Sequence, residues 1–213
     1  MNWLQKISMG LWEDIEEAGP RKQHRDIDER MNEFNRRRDF TQNFGWSVPT
    51  KEVIDKLQQF VGNDKILEVG AGKGLWAKLM QDAGMSLTPT DLHSGGDNSY
   101  YGGSDSFTQI TQMDAEEAVL SFSDHTVLFL NWPPYDSPMA ANALKKFSGN
   151  KLIYIGEGPG GCTANDEFCQ MLYKSWQHVD SACVPHPESS WGNEIEIPQW
   201  EGLHDCISLY VRK

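Results

Sequence analysis

The sequence predicts an α/β fold: a three-layer sandwich on a seven-stranded, mostly parallel sheet, its last strands an antiparallel pair, with a helical cap at the N-terminus. Three observations carry that expectation. From residue 65 onward, short apolar runs alternate with helical stretches, and such alternation implies parallel strands joined by right-handed crossovers. The apolar run at 66–69 passes directly into a glycine-rich turn, Gly70-Ala71-Gly72-Lys73-Gly74, that opens a helix. The length, 213 residues with 38% hydrophobic side chains, suits about one domain with a real core.

The elements follow in order. Residues 2–17 place Trp3, Leu4, Ile7, Leu11, Trp12 and Ile15 at helical spacing, and Gly19-Pro20 ends that helix. Residues 21–40 read as a second, highly charged helix whose few apolar positions, Ile27, Met31 and Phe34, make a narrow stripe. Thr50 is a fair N-cap for a helix over 51–61, with Val53, Ile54, Leu57 and Phe60 facing inward. Strands are expected at 65–69, 86–90, 107–113, 126–130, 152–155, 179–184 and 205–211, and helices at 75–83, 138–147 and 166–176. Residues 94–106 read as a long polar loop. The expected division is a helical cap over 1–50 and the α/β domain over 51–213.

Charge narrows the partners. The net charge is −12, which opposes a general role in binding phosphate backbones. No target-recognition domain is visible, and sequence-specific duplex DNA binding is not expected. Residues 21–38 nevertheless hold seven of the 19 basic residues: Arg21, Lys22, Arg25, Arg30, Arg36, Arg37 and Arg38. They form either a solvated face laced with Asp26, Asp28, Glu29 and Glu33, or a patch for an acidic protein partner. No run approaches the ~18 apolar residues that span a bilayer, and the N-terminus has no signal-peptide core; a cytoplasmic location is expected. The four cysteines, Cys162, Cys169, Cys183 and Cys206, show no CxxC pair and no zinc-ligand spacing. They read as reduced, mostly buried thiols, and no metal site is expected.

The chemistry gathers at strand ends. Glycines at 70, 72 and 74 let the backbone turn tightly and approach a ligand, and a helix start offers unpaired amides. The spacing is Glu68-x-Gly70-x-Gly72-x-Gly74, not the dinucleotide GxGxxG. An acid inside the motif would suit a pyrophosphate poorly. Asp91 ends the second strand, where a carboxylate can accept both hydroxyls of a ribose; it could also cap its own loop. Asp114, after the third strand, could cap the stretch 115–120. The fourth strand ends in Asn131-Trp132-Pro133-Pro134-Tyr135, whose prolines stiffen the backbone and free carbonyls for a ligand. Trp132 and Tyr135 stand either at a pocket wall or in the core. After the fifth strand comes Gly156-Glu157-Gly158-Pro159-Gly160-Gly161-Cys162-Thr163, which puts Glu157 where open α/β sheets bind ligands. Cys162 has no nearby histidine to make it a nucleophile. His93, two residues past Asp91, is either a base or a solvated loop residue.

These motifs resemble those of the class I, Rossmann-like S-adenosylmethionine-dependent methyltransferases. Trp-Pro-Pro-Tyr, with Gly-Trp-Ser-Val-Pro-Thr at 45–50 and Ile-Pro-Gln-Trp at 197–200, is similar to an uncharacterised methyltransferase-like group, over roughly residues 45–213. The resemblance implies S-adenosylmethionine as cofactor. It implies cofactor contacts from the turn residues Glu68, Gly70, Ala71, Gly72 and Gly74, from Asp91 and Leu92 after the second strand, and from Met113, Asp114 and Asn131. It places the segment Asn131, Trp132, Pro133 and Tyr135 beside the transferred methyl, with Asn131 and the Pro133 carbonyl receiving the target's amino group; Glu157 joins them as a candidate catalytic residue by its place after the fifth strand. This chain departs from that pattern: Trp132 sits next to the prolines and displaces Asn131 by one. Either the strand bulges to restore Asn131, or Trp132 lines the pocket instead. The expected activity is methylation of an amino group on a small molecule, nucleobase or protein. The alternatives are a cofactor-binding regulator without catalysis and an enzyme using another nucleotide on the same fold.

Overall fold

The computed structural model describes residues 3–20, 27–93, 105–183 and 197–213, with side chains at 10–20, 27–93, 105–179 and 197–213. Two helices open the chain, α1 (Trp3–Ala18) and α2 (Ile27–Asn43), followed by α3 (Lys51–Val61). Strands and helices then alternate: β1 (Ile66–Val69), α4 (Leu75–Asp82), β2 (Leu87–Asp91), β3 (Thr111–Gln112), α5 (Ala115–Ser121), β4 (Val127–Asn131), α6 (Met139–Lys146), β5 (Lys151–Gly156) and α7 (Asp166–Ser175). Two strands close it, β6 (Trp176–Cys183) and β7 (Cys206–Arg212). The sheet order is β3-β2-β1-β4-β5-β7-β6. β1 through β5 run parallel, and β7 runs antiparallel to both neighbours. The order reverses between β1 and β4, so their carboxyl ends flank the crevice where such sheets take ligands.

Strand alternation sorts the two faces. Ile66, Phe129, Ile153, Ile155, Ile207 and Leu209 point to a core shared with α1, α2, α3 and α4. Leu67, Leu128, Leu130, Leu152 and Tyr154 point to a second core under α5, α6 and α7. Because side chains alternate with period two, Glu68, Asn131, Glu157 and Asp205 fall in phase with the first set. Four polar groups thus share the face that carries the N-terminal helices, near the carboxyl edge of the parallel strands. Thr50 caps α3 as its position predicts, its Oγ1 accepting from Val53 N at 3.2 Å, and Val53, Ile54, Leu57 and Val61 are buried.

Three expectations change. The third strand shrinks to Thr111–Gln112, because Thr108 and Ile110 leave the sheet plane to pack on Gly74, where a Cβ would meet Thr108 at 3.0 Å. The stripe on α2 faces outward: Ile27 is 80% exposed and Phe34 60%. Glu33, Phe40 and Thr41 are buried instead, and Arg36 ties the helix to the end of α1 by donating to the carbonyls of Glu17 and Gly19 at 2.6 and 2.8 Å. Arg21, Lys22 and Arg25 lie outside the described residues. Among the cysteines, Cys162 and Cys169 are free thiols, with Cys162 exposed, but Cys206 is disulfide-bonded. Register sets Cys183 of β6 opposite Cys206, a juxtaposition that spacing along the chain does not reveal. Among the described residues no helix is long and apolar enough to cross a membrane.

Candidate functional site

The glycine turn is held from behind by the strand beside it. Gly70, Gly72 and Gly74 all have positive φ, at 80°, 57° and 74°, so side chains there would carry backbone strain. Gly70 N and Ala71 N donate to the carbonyl of Thr90 at 2.9 and 3.0 Å. Asp91, buried at the end of β2, accepts from Gly72 N through Oδ2 at 2.8 Å and from His93 N through Oδ1 at 2.8 Å. Each carboxylate oxygen accepts more than one bond, so this clamp leaves Asp91 capacity for ribose hydroxyls. Leu92 and His93 are exposed next to it. Met113 N donates to Asp91 O at 3.0 Å, and the Met113 side chain packs half-buried on the second core. Asp114 caps α5: its Oδ1 accepts from Glu116 N and Glu117 N at 2.9 and 3.0 Å.

Glu68 carries the unusual electrostatics of this half. It is 1% exposed, and its Oε2 has no hydrogen-bond partner. Burial, reinforced by the charge of Asp91, pushes its pKa well above the usual carboxylate range. A buried carboxyl oxygen without a donor is costly. A ligand that brings a positive donor group to this turn would relieve that cost.

At the end of β4 the chain does not bulge. Asn131 stays in register with Ile155, and Trp132 N still donates to the Ile155 carbonyl at 2.8 Å. Trp132 then takes φ 51°, a left-handed conformation that costs a non-glycine residue about 1–2 kcal/mol and is common where function constrains the backbone. Its ring packs at the edge of the first core and stacks on Trp46 at 5.1 Å and 13°. The Asn131 Oδ1 accepts from Ser47 Oγ at 2.8 Å, and Ser47 Oγ accepts from Trp76 Nε1 at 2.9 Å. The Pro133 carbonyl accepts from Ala164 N at 2.7 Å. The two acceptors expected to meet a target amino group are therefore both engaged within the protein. Tyr135 is 62% exposed.

The loop after β5 is organised by Glu157. It is buried, and its two oxygens accept from Cys162 N at 2.6 Å and His204 N at 3.0 Å. Burial raises its pKa, but these backbone donors outweigh burial and hold it below the ordinary value. Hydrogen bonding to Glu157 raises the Cys162 thiol, which works against a thiolate nucleophile. Two residues that the sequence did not flag complete the edge. Ser47, between α2 and α3, reaches Asn131 across 84 positions in sequence. Asp205 precedes β7 and is 2% exposed, with Oδ1 unpartnered. Burial lifts its pKa to about 6. Ser47 lies in the Gly-Trp-Ser-Val-Pro-Thr stretch, but nothing local marks its partner, and Asp205 has no local motif. On the opposite face, a cavity of ≈ 850 Å³ lies between α7 and strands β5, β7 and β6, with Leu172, Trp176 and Tyr210 in its wall.

No protein-family model and no curated protein matches the chain. Solved structures do. The 1,6-didemethyltoxoflavin-N1-methyltransferase of Burkholderia thailandensis, solved with 1,6-didemethyltoxoflavin and S-adenosylhomocysteine, superposes with TM-score 0.51 at 13% identity, covering 92% of this chain and 94% of that one. Two others give lower scores. A TehB-like S-adenosylmethionine-dependent methyltransferase of Corynebacterium glutamicum has TM-score 0.48 at 15% identity, covering 88% of this chain and 100% of that one. The magnesium protoporphyrin IX methyltransferase of Synechocystis has 0.46 at 9%, covering 90% and 100%. With its sheet order, its glycine turn and its antiparallel β7, the chain has the Rossmann-like fold of the class I methyltransferases.

Proposed function

We propose that this chain binds S-adenosylmethionine at the carboxyl edge of β1, β2 and β4 and transfers its methyl to an amino group. The observation that carries the reading is Glu68, a buried carboxyl with an unpartnered oxygen under a glycine turn clamped by Asp91. That arrangement favours a cationic, ribose-bearing ligand without a pyrophosphate. Glu68 would meet the positive end of the ligand. Asp91 would take the ribose hydroxyls, with Leu92, Met113 and the outer oxygen of Asp114 around the base. The cofactor supplies an electrophilic methyl on sulfonium. The protein positions the nucleophile in line and excludes water, and Trp46 and Ser47 of the cap cover the strand end where that happens.

Titration calorimetry tests the reading: S-adenosylmethionine and S-adenosylhomocysteine should bind one per chain, while NAD should not. Binding of NAD in preference to both would favour another nucleotide chemistry. One observation supports a regulator without catalysis. Asn131 Oδ1 and the Pro133 carbonyl are already bonded to Ser47 and Ala164. A protein that binds the cofactor yet transfers no methyl to any acceptor pool would fit that second reading.

A further inference from the structure

Asp205 stands where the proposed reaction needs a group and where no motif put one. In the row across the sheet, Asn131 of β4 pairs with Ile155 of β5, and Ile155 with Ile207 of β7. Gly156 pairs with Cys206. Glu157 and Asp205 follow directly beyond that pair and interact electrostatically. Asp205 shares the phase of Ile207 and Leu209 and faces the side that holds Asn131 and the cap. Its Oδ1 and the indole Nε1 of Trp132 are both buried, and neither completes a hydrogen bond among the described residues. The two are close enough for the indole N–H to favour the ionised carboxylate. The facing charges are Glu157 from the β5 loop, Arg37 from α2 and the adjoining His204. Glu157 accepts from the Cys162 and His204 amides, and these donors hold its pKa below the ordinary carboxylate value, so it is a weak proton acceptor. His93 is exposed beside Asp91, whose Oδ1 accepts from its backbone N.

We infer that Asp205 is the proton acceptor of the methyl-transfer site, and that the substrate is an amino group flanked by a hydrogen-bond acceptor, as in an aminoheterocycle. The inference rests on the methyltransferase reading. The amino N–H donates to Asp205, and the neighbouring lone pair accepts from Trp132 Nε1. The ring of Trp132 is covered by Trp46, so the substrate meets the indole edge-on. As the amino nitrogen bonds to the methyl carbon, the carbon–sulfur bond breaks and its electron pair stays on sulfur. The proton that the new ammonium sheds goes to the Asp205 carboxylate and then to water.

The test uses three six-membered probes on the full chain saturated with S-adenosylhomocysteine, read by thermal shift and calorimetry at pH 7.5. 2-Aminopyrimidine presents both groups, aniline only the donor and pyrimidine only the acceptor. 2-Aminopyrimidine should bind at least tenfold more tightly than either. Asp205→Asn should remove that preference, and Trp132→Phe should reduce 2-aminopyrimidine to the level of aniline. Asp205→Asn also has a readout that needs no ligand. A carboxyl whose pKa folding raises gives stability that is full below about pH 4 and gone above about pH 6, so the variant should melt higher than the parent at pH 7.5 and lose that advantage at pH 4. Equal binding of the three probes, or a preference unchanged in Asp205→Asn, overturns the inference. A melting point lowered at every pH also overturns it, by making Asp205 a structural residue. If S-adenosylhomocysteine itself shifts neither protein, the methyltransferase reading fails instead.

Discussion

The two halves of the carboxyl edge are built differently. Around the glycine turn, the polar groups are tied by backbone donors and acceptors within about twenty residues: Asp91 holds Gly72 and His93, and Thr90 holds Gly70 and Ala71. Around β4, β5 and β7, the contacts come from far along the chain. Ser47 reaches Asn131, His204 reaches Glu157, and Trp46 covers Trp132. The first half is held by short-range contacts between β1, β2 and the turns that follow them. The second is assembled by tertiary packing, and it leaves Trp132 Nε1 and Asp205 Oδ1 buried without partners. A locally wired turn thus faces an edge assembled by contacts from distant segments.

Breaking the local half should have the largest effect. Gly72→Val puts a branched side chain at φ 57°, strains the turn by about 1–2 kcal/mol and crowds the ligand. Binding of S-adenosylmethionine should fall below detection while circular dichroism still reports a folded protein. A folded variant with unchanged affinity would remove the turn from the site. Asp91→Ala comes next. It should weaken the cofactor by roughly 1.5–3 kcal/mol, the scale of hydrogen bonds to a charged group. Because the same carboxylate clamps Gly72, the apo protein should lose thermal stability as well. Methionine, which lacks the ribose, should feel only the clamp and lose less.

Proton linkage sharpens the comparison at Glu68. Folding raises its pKa, so its contribution to stability is present at acid pH and is lost as the pH rises through the raised value. A cationic ligand favours the ionised form. Binding of S-adenosylmethionine near neutral pH should therefore release protons, seen as a dependence of calorimetric heat on buffer ionisation enthalpy. Glu68→Gln should abolish the release. Equal release in the variant would place the titrating group elsewhere.

The smallest effect is expected where the cap meets β4. Ser47→Ala deletes the bonds to Asn131 and Trp76 and should cost about 1–3 kcal/mol of stability, since it leaves buried polar atoms unpaired. Cofactor affinity should hold within a few-fold. A loss of affinity as large as that of Asp91→Ala would mean that the two halves are one cooperative unit.

The same division explains what could be read from the sequence. Most strand and helix positions, the mostly parallel sheet with its antiparallel end and the turn at 70–74 follow from local periodicity and glycine spacing, and the structure has them within a few residues. The third strand was overread because Thr108 and Ile110 pack on Gly74 rather than in the sheet. The α2 stripe was misleading because apolar spacing tells which residues share a face, not which way that face turns; Arg36 and Phe40 decide that through α1 and the core. At Asn131-Trp132-Pro133 the motif was visible but its wiring was not, since Ser47, Ala164 and the stacked Trp46 come from elsewhere in the chain. Asp205, a lone acid before a strand, gave no signal until the antiparallel pairing of β7 brought it beside Glu157 and Trp132.

The central claim is that the cofactor lies across the β1–β4 crevice with its sulfur toward the β4 edge. A crystal structure of the protein with S-adenosylhomocysteine tests it directly. The account predicts ribose hydroxyls on the Asp91 carboxylate, the amino group on Glu68 and the sulfur facing Asn131 and Trp132. A ligand seated instead in the cavity between α7 and β6, with the glycine turn empty, would contradict it.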